Sequence, residues 1–368
     1  MNCSRIPTAL VALILTTTSV FCQDSEPEPI DRKVFVTEAG AEIRIPDGVV
    51  WRCYPGEVFR VTLLTGEWLW VPRKSGWLWI EQTVPFESCI EHFTALVERD
   101  PTGEAFHQRG LACMAHSRYA EAIEDFTETI RRLPRNSGAY NNRGNGWKLR
   151  GDAERALADY STAIQIDPEN AWAYNNRALI RIEQGALDAA MRDLDAATTH
   201  NKEYTEAWNN RGVVWRERGE YERAIADYSQ ALAVDGRYAV ALGNRGFAWK
   251  QLGKLDAAIE DYSKAVQYAP QSRSALNDLA WLLATCSDDQ YRNGERAVEL
   301  AKNACELSDY GDWNELDTLA AACAEVRKFA DAIKWIEKAL DIAPQDQRRL
   351  LRQRLAAFQN SQTVREGV

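Results

Sequence analysis

Histidine is scarce in this chain: the 368 residues hold four, His92, His107, His116 and His200, and none stands at metal-ligand spacing from another His or from a Cys. No recognisable metal centre follows, and no cofactor is expected. Basic residues are in deficit as well, 44 Lys+Arg against 54 Asp+Glu for a net charge of -10. That balance argues against a broad phosphate-binding surface, so nucleic acid is not an expected partner. No nucleophile, base and orienting group occur at recognisable spacing, which sets the hydrolase and transferase classes aside and points away from an enzyme. Long apolar runs are missing beyond Cys22, so no transmembrane segment is expected after it.

What the segment up to Cys22 does contain is a targeting pattern. Arg5 precedes an apolar run from Ala9 to Leu15 that continues through Val20 and Phe21 to Cys22, and polar Gln23, Asp24, Ser25 and Glu26 follow at once. A basic start, a short apolar middle and a polar exit are the layout of a secretory signal, with residues 1–22 removed and 23–32 left as linker. The expected location is periplasmic or extracellular. Acylation of Cys22 is the alternative, although Phe21 is bulky where a lipobox wants a small residue. Export would permit disulfides among Cys53, Cys89, Cys113, Cys286, Cys305 and Cys323. Their spacing fits no zinc motif; the last four fall within helical patterns and read as small buried thiols, and Cys286 with Cys305 is the pair most worth testing.

One register accounts for most of the remaining chain. Segments beginning at Gly103, Ser137, Ala171, Thr205 and Ala239 align without a gap, each start as far from the next as Gly103 is from Ser137. Position eight of this repeat holds Gly110, Gly144, Ala178, Gly212 and Gly246; position twenty-four holds Phe126, Tyr160, Leu194, Tyr228 and Tyr262. Small opposite large is how stacked hairpins interlock. Gly151, Gly185, Gly219 and Gly253 share position fifteen, where a helix C-terminus takes a left-handed residue. A sixth unit starts at Arg273 and carries a longer loop from Ser287 to Gly294. A seventh starts at Trp313 and ends at Pro344, after which Arg348, Arg349, Arg352 and Arg354 interleave with Leu350, Leu351, Leu355 and Phe358 as a capping helix.

This pattern resembles the tetratricopeptide repeat family over residues 103–346. The resemblance implies a mainly α, right-handed solenoid of about seven helical hairpins; residues 347–368 read as a capping helix and a disordered tail. Residues 33–85 differ: runs at Val34–Thr37, Ala41–Ile45, Val49–Tyr54, Val58–Leu64, Trp68–Val71 and Trp77–Ile80 read as strands between turn residues at Pro46-Asp47-Gly48, Pro55-Gly56, Thr65-Gly66 and Lys74-Ser75-Gly76. The Trp-rich segment resembles bacterial SH3-like domains and implies a small β barrel. Alternation puts Leu69, Val71, Leu78 and Ile80 on one face, assigned inward, and Trp68, Trp70, Trp77 and Trp79 on the other, a ligand platform or a surface docked on helices. Residues 86–101 read as a linking half-repeat whose missing first helix the barrel replaces.

Two further ladders run through the repeats. Arg109, Arg143, Arg177, Arg211 and Arg245 at position seven face Asp125, Asp159, Asp193, Asp227 and Asp261 at position twenty-three, and five structural ion pairs are expected. Position six carries Gln108, Asn142, Asn176, Asn210 and Asn244, then Asp278; position five adds Asn141, Asn175, Asn209 and Asn277. In the family the early first-helix positions face the concave groove, and this series resembles the asparagine ladder of O-linked N-acetylglucosamine transferase, which implies that the amides hold an extended polypeptide by its backbone. Capping of loops or exposure to water is the competing account. Lys148, Arg216 and Lys250 at position twelve add cations for a peptide with acidic character. A carboxylate clamp for chaperone tails is disfavoured, because Asn141 and Trp172 stand where it wants cations. The expected function is an exported, non-enzymatic scaffold that binds protein or peptide in the groove. The alternative is a cell-wall or proline-rich ligand on the Trp-rich domain, with the solenoid as spacer.

Overall fold

The computed structural model describes residues 28–37, 41–45, 48–53, 56–65, 67–72 and 76–366. The targeting segment with Cys22, and turn residues Pro46, Asp47, Pro55, Gly66, Lys74 and Ser75, lie outside the described residues. The chain divides into two compact units, residues 1–176 and 177–368.

The first unit opens with a curled antiparallel sheet, consistent with an SH3-like domain. Its strands are β1 (Glu28–Val36), β2 (Glu42–Ile45), β3 (Gly48–Arg52), β4 (Val58–Thr65), β5 (Trp68–Val71), β6 (Gly76–Trp79) and β7 (Thr83–Pro85). They are ordered β3-β2-β6-β5-β4-β1-β7. β1 starts at Glu28, inside the segment expected to be linker, because its polar residues pair along the edge of β4 as far as Glu28 with Leu64. β7 was not foreseen. Leu69 pairs with Leu78 across β5 and β6, and with Val34, Val36, Ile43, Val61 and Val71 they close an apolar core, so the aliphatic set does face inward. Trp68 and Trp70 lie on the other face and pack on Leu63. The side chain of Trp77 lies outside what is described.

The unit continues with α1 (Cys89–Arg99), α2 (Gly103–Ala115), α3 (Tyr119–Arg132), α4 (Ser137–Leu149) and α5 (Ala153–Ile166). Docking of the sheet on helices is carried by Phe35 of β1, which packs with Cys89, Phe93 and Ala112 and meets the Phe93 ring edge-on at 5.8 Å. Gln108 of α2 reinforces it by donating to the Thr37 carbonyl at 3.2 Å.

Helix α6 (Ala171–Glu183) crosses the boundary between the units. Beyond it come α7 (Leu187–His200), α8 (Thr205–Glu217), α9 (Tyr221–Val234), α10 (Ala239–Gln251), α11 (Leu255–Tyr268), α12 (Arg273–Thr285), α13 (Gly294–Leu307), α14 (Trp313–Glu325), α15 (Phe329–Ile342) and α16 (Arg348–Gln359). The position-fifteen glycines Gly151, Gly185, Gly219 and Gly253 all have positive φ, 70° to 83°. In α12/α13 the loop carries a 3-10 turn, Asp289–Tyr291, in place of that glycine turn. The last hairpins share one large core in which Leu279, Leu282, Leu300, Leu316 and Ile336 are buried together with Leu351 and Phe358 of α16. All six described cysteines are free thiols and buried. Burial raises Cys305 to about 12 and Cys89, Cys113 and Cys323 to about 11.

Candidate interaction face of the first helices

The Arg-Asp ladder forms as five bidentate pairs. Arg109 reaches Asp125 at 2.9 and 2.6 Å, Arg143 reaches Asp159 at 2.8 Å twice, Arg177 reaches Asp193 at 2.9 and 2.7 Å, Arg211 reaches Asp227 at 2.8 and 2.7 Å, and Arg245 reaches Asp261 at 2.7 and 2.8 Å. Every one of these carboxylates is buried. The third donor of the fork often reaches backward: Arg143 donates to Thr127 Oγ1 at 3.2 Å and Arg245 to Ser229 Oγ at 3.0 Å, both at position twenty-five of the preceding hairpin. One guanidinium thus ties two helices of its own hairpin and one of the hairpin before.

The amide ladder shows a bonding pattern that the sequence did not suggest. Asn176 Nδ2 donates to Asn141 Oδ1 at 2.9 Å, and Asn244 Nδ2 donates to Asn209 Oδ1 at 2.9 Å. Position six of one hairpin therefore bonds position five of the hairpin before it. Within each hairpin position five also donates to position six, Asn141 to Asn142 at 3.3 Å and Asn209 to Asn210 at 3.4 Å. Position-five amides Asn141, Asn175, Asn209 and Asn277 are buried, while Asn142, Asn176, Asn210 and Asn244 are half-buried. The series is a zipper between first helices before it is anything else, because a buried amide must find protein partners.

At the start of the series the partners change. Gln108 is spent on the Thr37 carbonyl and on Glu104. Asn142 Nδ2 lies 3.2 Å from His107 Nε2, which accepts as a neutral imidazole; burial pushes His107 below its ordinary range and Glu104 pulls the other way.

The richest surface lies on α8, α10 and α12 of the second unit. Arg216 donates to Asn244 Oδ1 at 3.1 Å and to Glu217 at 2.8 Å, and stands 5.6 Å over the Phe247 ring. Lys250 lies 5.8 Å over the same ring. Asp278 follows at position six of the sixth hairpin, where burial raises its carboxyl to about 6 against the pull of Lys250 and Arg216. Trp281 stands at position nine, the place of Phe247 one hairpin earlier, and that correspondence was available in the repeat register although Trp281 was not singled out. Lys148, the other expected cation, is half-buried on α4 of the first unit.

In the sheet, Trp68 stacks on Trp79 at 6.4 Å, and Trp79 donates to Glu67 at 3.3 Å while remaining 37% exposed. Among the described residues no group of His, Cys, Asp and Glu is placed to hold a metal ion, and no helix is long and apolar enough to cross a membrane.

Hairpins of one recurring length, tied to one another through ion pairs and amides and exposing rings and cations on their first helices, define a helical-repeat scaffold. The repeats are tetratricopeptide repeats. Residues 205–238 and 239–272 match the family described as tetratricopeptide repeat, in the register that the position-eight glycines define, and residues 148–181 match the family described as TPR repeat. Proteins of this family are generally non-catalytic scaffolds that bind proteins or peptides. No curated protein matched the chain. Among solved structures, the APC/C hetero-tetramer Cut9–Hcn1 is similar at 17% identity and a TM-score of 0.57 over 64% of this chain. Yeast Tom70 is similar at 16% identity and a TM-score of 0.50 over 75% of this chain. The matches span 46% and 58% of those two chains, and at such identity they show the fold alone.

Proposed function

We propose that the protein is an exported, non-enzymatic scaffold whose first-helix face on α8, α10 and α12 binds an extended segment of a protein partner. The observation that carries this is the Arg216, Asn244 and Phe247 cluster: a guanidinium held over a ring and on an amide, half-buried, gives a peptide an apolar platform beside fixed polar groups. Export is read from Arg5, the apolar run from Ala9 and the polar exit after Cys22. Affinity capture from the envelope fraction of the source cell should lose clients when Arg216→Met and Phe247→Ala are combined with helicity retained. Equal recovery by wild type and variant would remove the proposal.

A second reading rests on the stacked Trp68 and Trp79 beside Glu67, an aromatic surface suited to a cell-wall glycan peptide or a proline-rich strand. Trp68→Ala with Trp79→Ala should then abolish sedimentation with cell-wall material, and unchanged sedimentation counts against it.

A further inference from the structure

The segment after α16 turns back onto α12. Ser361 sits in the left-handed region at φ 56°, and Gln362 N donates to Ala357 O at 2.9 Å, so the chain reverses at the helix end. It then runs extended beside the last residues of α12. Glu366 N donates to the Thr285 carbonyl at 2.8 Å and residue 366 forms a parallel bridge with Cys286. Its carboxylate is received by two side chains of the first-helix face: Trp281 Nε1 donates at 2.7 Å, and Lys250 Nζ at 3.2 and 3.3 Å. Arg365 lies 2.7 Å from Glu325 and reaches the Ala284 carbonyl, and Val364 packs on the core of the last hairpins. Arg354 stands 4.6 Å over the other part of this site, the Trp281 ring, and pairs with buried Asp317.

The sixth hairpin is the one that offers such a place. Elsewhere a left-handed residue, glycine in four hairpins and Ser117 or Arg327 in two, turns backbone N-H groups back to the final carbonyls of the first helix, as Gly151 and Asp152 do for Lys148 and Trp147. At the end of α12 the longer loop leaves Cys286 extended, φ -50° and ψ 133°, and the carbonyls of Ala284, Thr285 and Cys286 take Arg365, Glu366 N and Arg292 instead. An extended strand is received by backbone there; Lys250 and Trp281 receive the acid at its end, Glu325 receives the cation beside it, and the apolar core receives the residue before that.

We infer that the site formed by Lys250, Trp281, the Thr285–Cys286 backbone and Glu325 is a receptor for an extended partner segment of apolar-basic-acidic pattern, and that Val364, Arg365 and Glu366 occupy it in cis until such a segment displaces them. This deepens the proposed function, since it rests on the first-helix face being a binding face. The cis occupant lowers the competent fraction, and a partner's apparent affinity falls by that fraction.

The test uses the full chain and a fluorescein-labelled, C-terminally amidated peptide Ser-Gln-Thr-Val-Arg-Glu, with binding read by anisotropy. Glu366→Ala should bind it about tenfold more tightly than wild type, adding Lys250→Met should abolish the gain, and a peptide with Gln in place of its Glu should bind neither protein. Hydrogen exchange at the Glu366 amide should show protection in wild type that Lys250→Met removes. Equal peptide binding by wild type and Glu366→Ala, no binding by either, a gain that survives Lys250→Met, or an unprotected Glu366 amide would each overturn the inference. The capture experiment with Arg216→Met and Phe247→Ala reads the underlying face separately, so clients lost there alongside a null result here would sink this inference alone.

Discussion

Asn176 donates through Nδ2 to Oδ1 of Asn141 at 2.9 Å, joining position six of one hairpin to position five of the hairpin before it. Asn141 is buried, so its carbonyl oxygen has this amide as its partner or pays for desolvation. The consequence is that the ladder cannot be tested for binding without also being tested for stability.

Asn176→Ala should therefore destabilise the first unit by about 1–2 kcal/mol, because it orphans a buried acceptor. Removing both partners should cost less than the two single changes together, with a coupling of about 1 kcal/mol. Urea unfolding of the four proteins in this cycle measures it. Strictly additive costs would show that the two amides act independently.

A second prediction concerns the small-large pairs. A methyl built on Gly212 would lie 2.5 Å from Tyr228 Cε1, and one on Gly144 would lie 2.6 Å from Tyr160 Cε1. Where position twenty-four is Leu194, position eight is Ala178, and both are fully buried. Gly212→Ala should cost about 1–3 kcal/mol by overpacking, and Gly212→Ala with Tyr228→Leu should recover most of it by reproducing the Ala178–Leu194 pair. Thermal unfolding of single and double variants decides; no recovery in the double would mean the ring does not set the residue opposite it.

The left-handed turns give a third. Position fifteen is glycine in four hairpins, but Ser117 and Arg327 hold the same place at φ 59° and 62°. Their turns bond as the glycine turns do, Ser117 N to Met114 O and Arg327 N to Ala324 O, each at 3.0 Å. A side chain there costs roughly 1–2 kcal/mol of strain, part of which glycine returns as chain entropy. Ser117→Gly and Arg327→Gly should each stabilise by about 0.5–1 kcal/mol in urea midpoints, and Gly151→Ala should do the opposite.

Much of this architecture is legible in the sequence because the constraints are local or repeat at a fixed interval. Gly144 facing Tyr160 and Arg143 facing Asp159 recur at the same places in hairpin after hairpin, and repetition separates a requirement from chance. What was missed depends on rotation of helices or on distance along the chain. Nothing in the run of Asn141 and Asn142 says that one bonds forward and the other backward; that follows from how far each side chain is turned toward the next helix. Lys250 reads as a free cation until Glu366, far along the chain, is placed against it. The Trp face was identified as a face, but the docking on helices fell to Phe35, whose strand begins in a polar stretch with little strand signal.

The last prediction is a pH dependence with a definite sign. Burial raises the Asp278 carboxyl from 3.8 to about 6, while Lys250 and Arg216 pull it back; Glu366 and Tyr262 stand in the same neighbourhood. The folded chain keeps this proton at pH values where the unfolded chain has lost it. Stability is therefore fullest below the unfolded value and falls as pH rises from about 4 to about 6, by at most about 3 kcal/mol, less where water reaches the half-buried group. Asp278→Asn removes the charge and should leave stability nearly unchanged at about pH 4 yet raise it above that of wild type at about pH 7.5. Urea unfolding of both proteins at the two pH values checks it. A wild type more stable than Asp278→Asn at the higher pH would show that attraction to Lys250 and Arg216 outweighs desolvation, and would reverse the sign of the whole effect.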